Sequence, residues 1–284
     1  MNRKKILAFI TIVAFATVGI SALDTSIVQQ DDSNNCSIET TSFQSGESLT
    51  YKVFYNAGPM WIGAGEVYFK LQDANLNNKK MYHAIMEAVS YGSFDWFFKV
   101  RDKMETWMQP ESLKSEKFLR DINEGGYSFF RSYEWNRQTN TIISFEDRKN
   151  GKTNTKTIKN VEPCAVDLLS SFYWARTLNF DLYKPGDKIP VTMAVDDTVY
   201  NLYIRYEGKE QYKTKLGTFN CMKVKPLLVE GDIFKKGEGM TIWFTDDANR
   251  IPVRIESELS VGRITCDLKS YAGTKYPFTS KVSK

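Results

Sequence analysis

Along most of this chain apolar and polar residues alternate with a period of two, and only one stretch keeps a helical period. Leu49, Tyr51, Val53 and Tyr55 alternate against Ser48, Thr50 and Lys52, the pattern of a strand with one buried face. After Gly58-Pro59, the residues Trp61, Gly63, Gly65, Val67, Phe69 and Leu71 share a face. The two glycines predict a bend or a close backbone approach there. A polar loop is predicted at 75–80, and MYHAIMEAVS (81–90) reads as a strand from its neighbours. YGSFDWFFKVRDKMETW (91–107) carries six aromatic residues and breaks the alternation, predicting a short helical turn or loop that enters a strand at Val100. A meander follows: 115–123 and 127–136 joined through Glu124-Gly125-Gly126, then 141–149 and 152–159 joined through Asn150-Gly151. Asn-Gly suits a type I′ hairpin because both central residues need positive φ. Later runs predict strands at 188–196, 198–208, 209–217 and 217–230, with three more (GMTIWFT, PVRIESELSV, GRITCDLKSYA) before the end.

The helical stretch is VEPCAVDLLSSFYWARTLNFD (161–181). Val166, Leu169, Phe172 and Tyr173 form one row, and Leu168, Phe172 and Ala175 another, so one apolar stripe runs along a helix of about 164–178. Pro163 can open that helix, while Asp167 and Arg176 sit favourably against its dipole. A single amphipathic helix among many strands predicts a mainly β fold. Its form is a strongly curved antiparallel sheet, an open or half barrel, packed around one central helix. Two smaller sheets flanking the helix are the rival arrangement. Residues 43–279 form a single β-rich domain on this reading, with 280–284 a tail.

The N-terminus adds a compartment. Arg3, Lys4 and Lys5, an apolar run from Ile6 to Val18 and the small residues 19–22 make residues 1–22 a signal peptide. Its apolar run is shorter than the ~20 residues of a typical span, so no transmembrane segment is expected after cleavage. Residues 23–42, rich in Asp, Ser, Asn and Thr, read as a flexible polar leader. Removing three basic residues from 38 leaves 35 against 34 acidic ones, a net charge of +1 in place of +4. The basicity therefore belongs to the export signal. With no basic cluster interleaved with aromatics, a nucleic-acid surface is excluded. The expected location is the periplasm or cell envelope. There the four cysteines allow three full pairings, and Cys36–Cys164 is the predicted disulfide because both lie outside strand interiors.

The order of FQSGESLTYKVFYN, KVRDKMETWM with Pro110, PCAVDLLSSFYWART, YKPGD, LGTFNCMKVKP and IWFTDDANRIPVRIE resembles the exported bacterial family of domain of unknown function 3108. The resemblance covers about residues 43–279. It implies a mostly β envelope protein with no established activity, and no catalytic residue to carry over.

Candidate chemistry is sparse. The single histidine, His83, has no metal-ligand spacing and no nucleophile signature around it. No phosphate-cradle motif occurs. Asp246-Asp247-Ala248-Asn249 reads as a turn rather than a calcium loop. Arg101-Asp102 and Asp167 with Arg176 read either as solvated surface charges or as an ion-paired network between helix and sheet. No catalytic residue, metal or cofactor is assigned, and the chain reads as a non-enzymatic protein. Aromatic side chains remain. Trp61, Trp96, Phe97 and Phe98, with Trp174 on the helix, are expected to bound an apolar cavity under a lid at 91–98, or else to fill the core. The functional reading is a binding protein for an apolar or amphipathic small molecule such as a lipid. The alternative is a module docking on another envelope protein, with glycan binding a third option.

Overall fold

The structure is a computed structural model that describes residues 36, 38, 41–58, 60–149, 151–228 and 237–283. The expected signal peptide at 1–22 and most of the expected leader at 23–42 lie outside these residues. So does Asn150 of the expected Asn-Gly turn.

The strands are β1 (Ser48–Ala57), β2 (Met60–Leu76), β3 (Lys79–Ser90), β4 (Arg101–Met108), β5 (Ser115–Glu124), β6 (Tyr127–Asn136), β7 (Thr141–Asp147) and β8 (Thr153–Ile158). After the helical segment come β9 (Lys188–Val195), β10 (Thr198–Thr214), β11 (Gly217–Pro226), β12 (Met240–Thr245), β13 (Pro252–Glu258), β14 (Arg263–Ala272) and β15 (Lys281–Ser283). All join one antiparallel sheet, ordered β8-β7-β6-β5-β4-β3-β2-β1-β14-β13-β12-β11-β10-β9, with β15 paired to β11 off this path. The two-sheet rival is thereby set aside. Neighbouring strands are mostly neighbours in sequence because short turns permit nothing else. The first strand and the last long strand meet in the middle, where β1 pairs with β14 from Ser48↔Ala272 to Asn56↔Arg263.

The sheet is not closed into a barrel: β8 and β9 are its two edges and share no ladder. Side chains span the opening instead. The β9–β10 turn residues Asp196 and Asp197 reach across to Arg120, Arg131, Ser144 and Lys156 on β5 to β8.

Two helices are described, α1 (Gly92–Phe98) and α2 (Leu168–Ala175). Helix α2 is shorter than the expected 164–178. Val166 bridges to Met193 of β9 in the parallel sense, so the residues after Pro163 are committed to the sheet before the helix starts. Asp167 then caps it, with extended φ −88° and ψ 179°.

Other boundaries moved for local reasons. The expected loop at 75–80 is a two-residue turn, because Asn77 and Asn78 both take positive φ (51° and 62°). The expected strands 198–208 and 209–217 are one strand, β10, which bulges between Tyr206 and Gly208 where Gly208 has φ +104°. The expected tail at 280–284 is mostly β15, paired with β11. Ser42, placed in the leader by composition, is buried and donates to the Arg176 carbonyl at the end of α2. Of the two β2 glycines, Gly65 marks a close approach: a Cβ there would collide with the Val89 carbonyl of β3.

Candidate functional site

Helix α2 is pinned at both ends by buried polar groups. At its start Asp167, fully enclosed, accepts from the backbone N–H groups of Leu169 and Ser170 at 2.8 Å each through one carboxylate oxygen. The other oxygen accepts from Thr106 Oγ1 of β4 and Ser115 Oγ of β5, both at 2.6 Å. Ser170 Oγ accepts in return from the Asp167 N–H at 2.8 Å, completing a capping box. Burial pushes this carboxyl's pKa up, and the hydrogen bonds from Ser115, Thr106 and Ser170 oppose it. At the other end Arg176, with no exposed surface, forms a bidentate pair with Glu47 at 2.6 and 2.8 Å. The same guanidinium donates to the Asn249 carbonyl at 3.0 Å and lies 5.2 Å from the Phe43 ring. Asp167 and Arg176 are thus neither solvated nor paired with each other: Asp167 binds β4 and β5, and Arg176 binds Glu47, just before β1, and the β12–β13 turn.

Between these pins the two flanks of α2 differ. Toward β2 and the preceding chain, Phe172 stacks on Phe69 with centroids 4.4 Å apart, and Tyr173 meets Phe43 edge-on at 5.0 Å. Toward β9 to β13 the packing leaves a hollow of about 60 Å³, partly open to solvent. Phe172 and Trp174 line it from the helix, facing Met193, Ile204, Ile242 and Ile255 from the sheet. The one serine in its wall, Ser171, turns its hydroxyl to the Leu168 carbonyl at 2.7 Å. A water inside has few partners, so the space favours an apolar occupant.

The five aromatic residues predicted to bound a cavity do not come together. Trp174 lines the hollow. Phe98 is buried against the β5–β6 turn, where a Cβ on Gly125 would strike its ring. Trp61, Trp96 and Phe97 are exposed elsewhere. The reason is the geometry of α1: Phe94 and Phe98, four residues apart, share its buried face and turn Trp96 and Phe97 outward. That spacing was legible in the sequence. The residues that do wall the hollow were not, because they come from five different strands and α2.

A second region, across the opening of the sheet, is polar. Arg131 of β6 pairs with Glu146, Asp196 and Asp197, and Arg120 reaches Asp196 at 3.2 Å. Asp197 N–H donates to the Tyr133 hydroxyl at 2.9 Å. Burial works against the charge of Asp197, but Ser144, Arg131 and Lys156 outweigh it and hold its pKa below the usual carboxylate range. Nearby, buried Asp102 behaves oppositely. Desolvation and the neighbouring buried Glu124 push it up to about 9, against the opposing Asn123 N–H at 2.9 Å.

Cys36 and Cys164 are disulfide-bonded, with Cα atoms 5.5 Å apart, while Cys221 and Cys266 are free thiols buried in strands. His83 bridges Gln72 and Glu105 and stacks on Trp107 at 4.2 Å; burial lowers its pKa despite the Glu105 carboxylate. Asp247 accepts from Thr245 Oγ1, the Asn249 N–H and Ser280 Oγ, so its oxygens serve the turn. No cluster of metal-ligating side chains occurs among the described residues. Nor is any helix among them long and apolar enough to cross a membrane.

The fold is similar to that of a β-barrel-like protein of domain of unknown function DUF1849 from Brucella abortus. That likeness has 9% identity and a TM-score of 0.54, and covers 82% of this chain and 100% of that one. A Bacteroides fragilis protein with a YmcC-like fold aligns at 11% identity over 84% of this chain and 100% of its own, with a TM-score of 0.33. No curated protein matches the chain. Residues 50–269, from β1 through most of β14, match the family described as protein of unknown function DUF3108, and the chain belongs to that family.

Proposed function

We propose that the chain is an exported, non-enzymatic binding protein of the cell envelope that holds the acyl chain of a lipid or fatty acid. The hollow between α2 and strands β9 to β13 carries this reading: a space of about 60 Å³, partly open to solvent and walled by aliphatic, aromatic and methionine side chains. Binding pockets for such ligands are concave, mostly apolar and already formed in the free protein. Helix α2 is the central element here, held rigidly on one flank so that its other flank need not be filled. Of the five aromatic residues singled out in the sequence, Trp174 is assigned to the ligand. Export rests on the N-terminal pattern of residues 1–22.

The test is a titration with a long-chain fatty acid followed by tryptophan fluorescence. Saturable quenching is expected, and it should vanish in Trp174→Phe if that indole is the reporter. Ile242→Trp, which places a large ring in the hollow, should abolish binding as read by calorimetry while leaving the melting temperature near wild type. Binding that survives in Ile242→Trp would remove the hollow from the account.

A further inference from the structure

A cluster of apolar side chains that the hollow does not use crowds one end of the sheet. Met60, Trp61 and Ile62 open β2 at 54%, 51% and 38% exposure, and Trp96 and Phe97 of α1 are 83% and 45% exposed. These two elements are neighbours: the Tyr91 N–H, just before α1, donates to the Ala64 carbonyl of β2 at 2.9 Å, and the Tyr91 ring lies over Gly63. Val261, in the β13–β14 turn, adds a further side chain at 71% exposure. It belongs to the same end, because a Cβ on the following Gly262 would run into the Asn56 carbonyl at the tip of β1. Trp96 and Phe97 cannot retreat, since Phe94 and Phe98 occupy the inner face of α1. Single exposed apolar residues are ordinary on a protein surface, but several large ones at one end are not.

Three lysines border this cluster. Lys52 Nζ sits 5.2 Å from the Phe54 ring and 5.9 Å from that of Tyr91, and Lys215 Nζ sits 5.9 Å from Phe54. Phe54 in turn lies 5.4 Å from Trp61. Lys99 is exposed immediately after α1. Among the described residues no carboxylate forms an ion pair with Lys52, Lys99 or Lys215. Asp95, the acidic residue of α1, is neutralised by Arg101 at 2.7 Å.

We propose that this end of the sheet, formed by Met60, Trp61, Ile62, Trp96 and Phe97 with Lys52, Lys99 and Lys215, docks the protein on a bilayer containing anionic phospholipid. The chemistry selects a lipid surface over a protein one. Lysine is depleted in protein–protein interface cores. Indole rings beside lysines are instead the combination found at the headgroup level of membranes, where the ring enters the boundary and the amine meets phosphate. The side chains are presented outward from a hairpin end and a short helix, as suits shallow insertion rather than enclosure of a partner segment. The proposal stands whether or not the hollow binds a ligand.

Flotation with vesicles of phosphatidylglycerol and phosphatidylcholine tests it, using the chain as its own cell produces it. Wild type and variants are prepared alike, so any contribution from residues 1–22 is common to all. Wild type should float with the mixed vesicles and its tryptophan emission should shift to the blue. Trp61→Ser with Trp96→Ser should lower partitioning at least about tenfold, as expected for two large apolar side chains withheld from the boundary. Lys99→Gln with Lys215→Gln should lower it by about fivefold per lysine on the mixed vesicles, and hardly at all on pure phosphatidylcholine. All four positions are exposed, so melting temperatures should match wild type, and Ile242→Trp should float normally. Wild type remaining in the aqueous fraction, or tryptophan variants floating as well as wild type, would overturn the proposal. So would a dimer in solution that Trp96→Ser dissociates without any vesicle binding, which would assign the patch to a second copy of the chain.

Discussion

The two flanks of helix α2 meet the same sheet in opposite ways. Toward β1 to β5 the contact is polar and complete: Asp167 is fixed by Thr106 and Ser115, Arg176 by Glu47, and Phe172 stacks on Phe69 between them. Toward β9 to β13 it is apolar and incomplete, leaving a hollow whose one wall hydroxyl bonds within the helix. Buried ion pairs are poor sources of net stability, but losing one partner is severe because the other stays uncompensated. The pinned flank therefore specifies where the helix sits. A helix so fixed does not collapse onto the second flank to fill the void, as an unrestrained apolar helix would. Rigidity on one side preserves space on the other.

The largest effect that tests this contrast is on the pinned flank. Arg176→Ala leaves Glu47 buried without its guanidinium, and chemical denaturation should show a loss of about 3–5 kcal/mol. A loss under about 1 kcal/mol would mean that water reaches Glu47 and that the pin is not what holds the helix. Phe172→Ala lies on the boundary between the flanks. Its ring is only part-buried and already borders the hollow, so the expected loss is about 2 kcal/mol rather than the roughly 3–5 of a fully enclosed ring. The same change enlarges the hollow, so calorimetry should show tighter binding of a bulkier acyl ligand. A fall in affinity for every chain size would show instead that Phe172 supplies essential contact.

The same contrast appears in titration. In the polar seam across the sheet opening, Asp197 and Glu146 have lowered pKa values in the folded state, against the opposing effect of burial. Their stabilisation is present above the ordinary carboxylate pKa of about 4 and is lost as pH falls through their folded values, so the seam weakens in acid. Asp102 has the other sign. Unfolded, it releases its proton near 4, whereas folded it keeps it up to about 9, so stability falls as pH rises through that window. Asp102→Asn should therefore melt above wild type, by a margin that widens toward the alkaline end. Melting curves that run parallel across the window would show that the buried carboxyl is ionised throughout.

Much of the frame was legible in the sequence, and the failures have physical causes. Period-two runs and turn residues located most strands, because a half-buried strand must alternate and a two-residue turn needs positive φ. Asn77-Asn78 meets that need as Asn-Gly does, which is why the loop expected at 75–80 proved a tight turn. The dipole argument put Asp167 and Arg176 at the correct ends of α2, but their partners were invisible: Glu47 is 129 residues from Arg176, and Thr106 is 61 from Asp167. Asp196-Asp197, both with positive φ, form the β9–β10 turn between two alternating runs. That the turn also pins the sheet's edges through Arg131, 65 residues from Asp196, depends on curvature that no local pattern encodes. Aromatic density at 91–98 drew attention to an irregular segment, while the sheet side of the hollow is walled mostly by aliphatic and methionine residues that look like ordinary core in every strand they come from.

Native mass spectrometry of the chain isolated from its own cell addresses the hollow most directly. Wild type should carry one bound molecule with an acyl chain, released on collisional activation, and Ile242→Trp isolated in the same way should arrive without it. Wild type emerging at its bare polypeptide mass, or an adduct retained undiminished in Ile242→Trp, would contradict the assignment of the space beside α2 to a ligand.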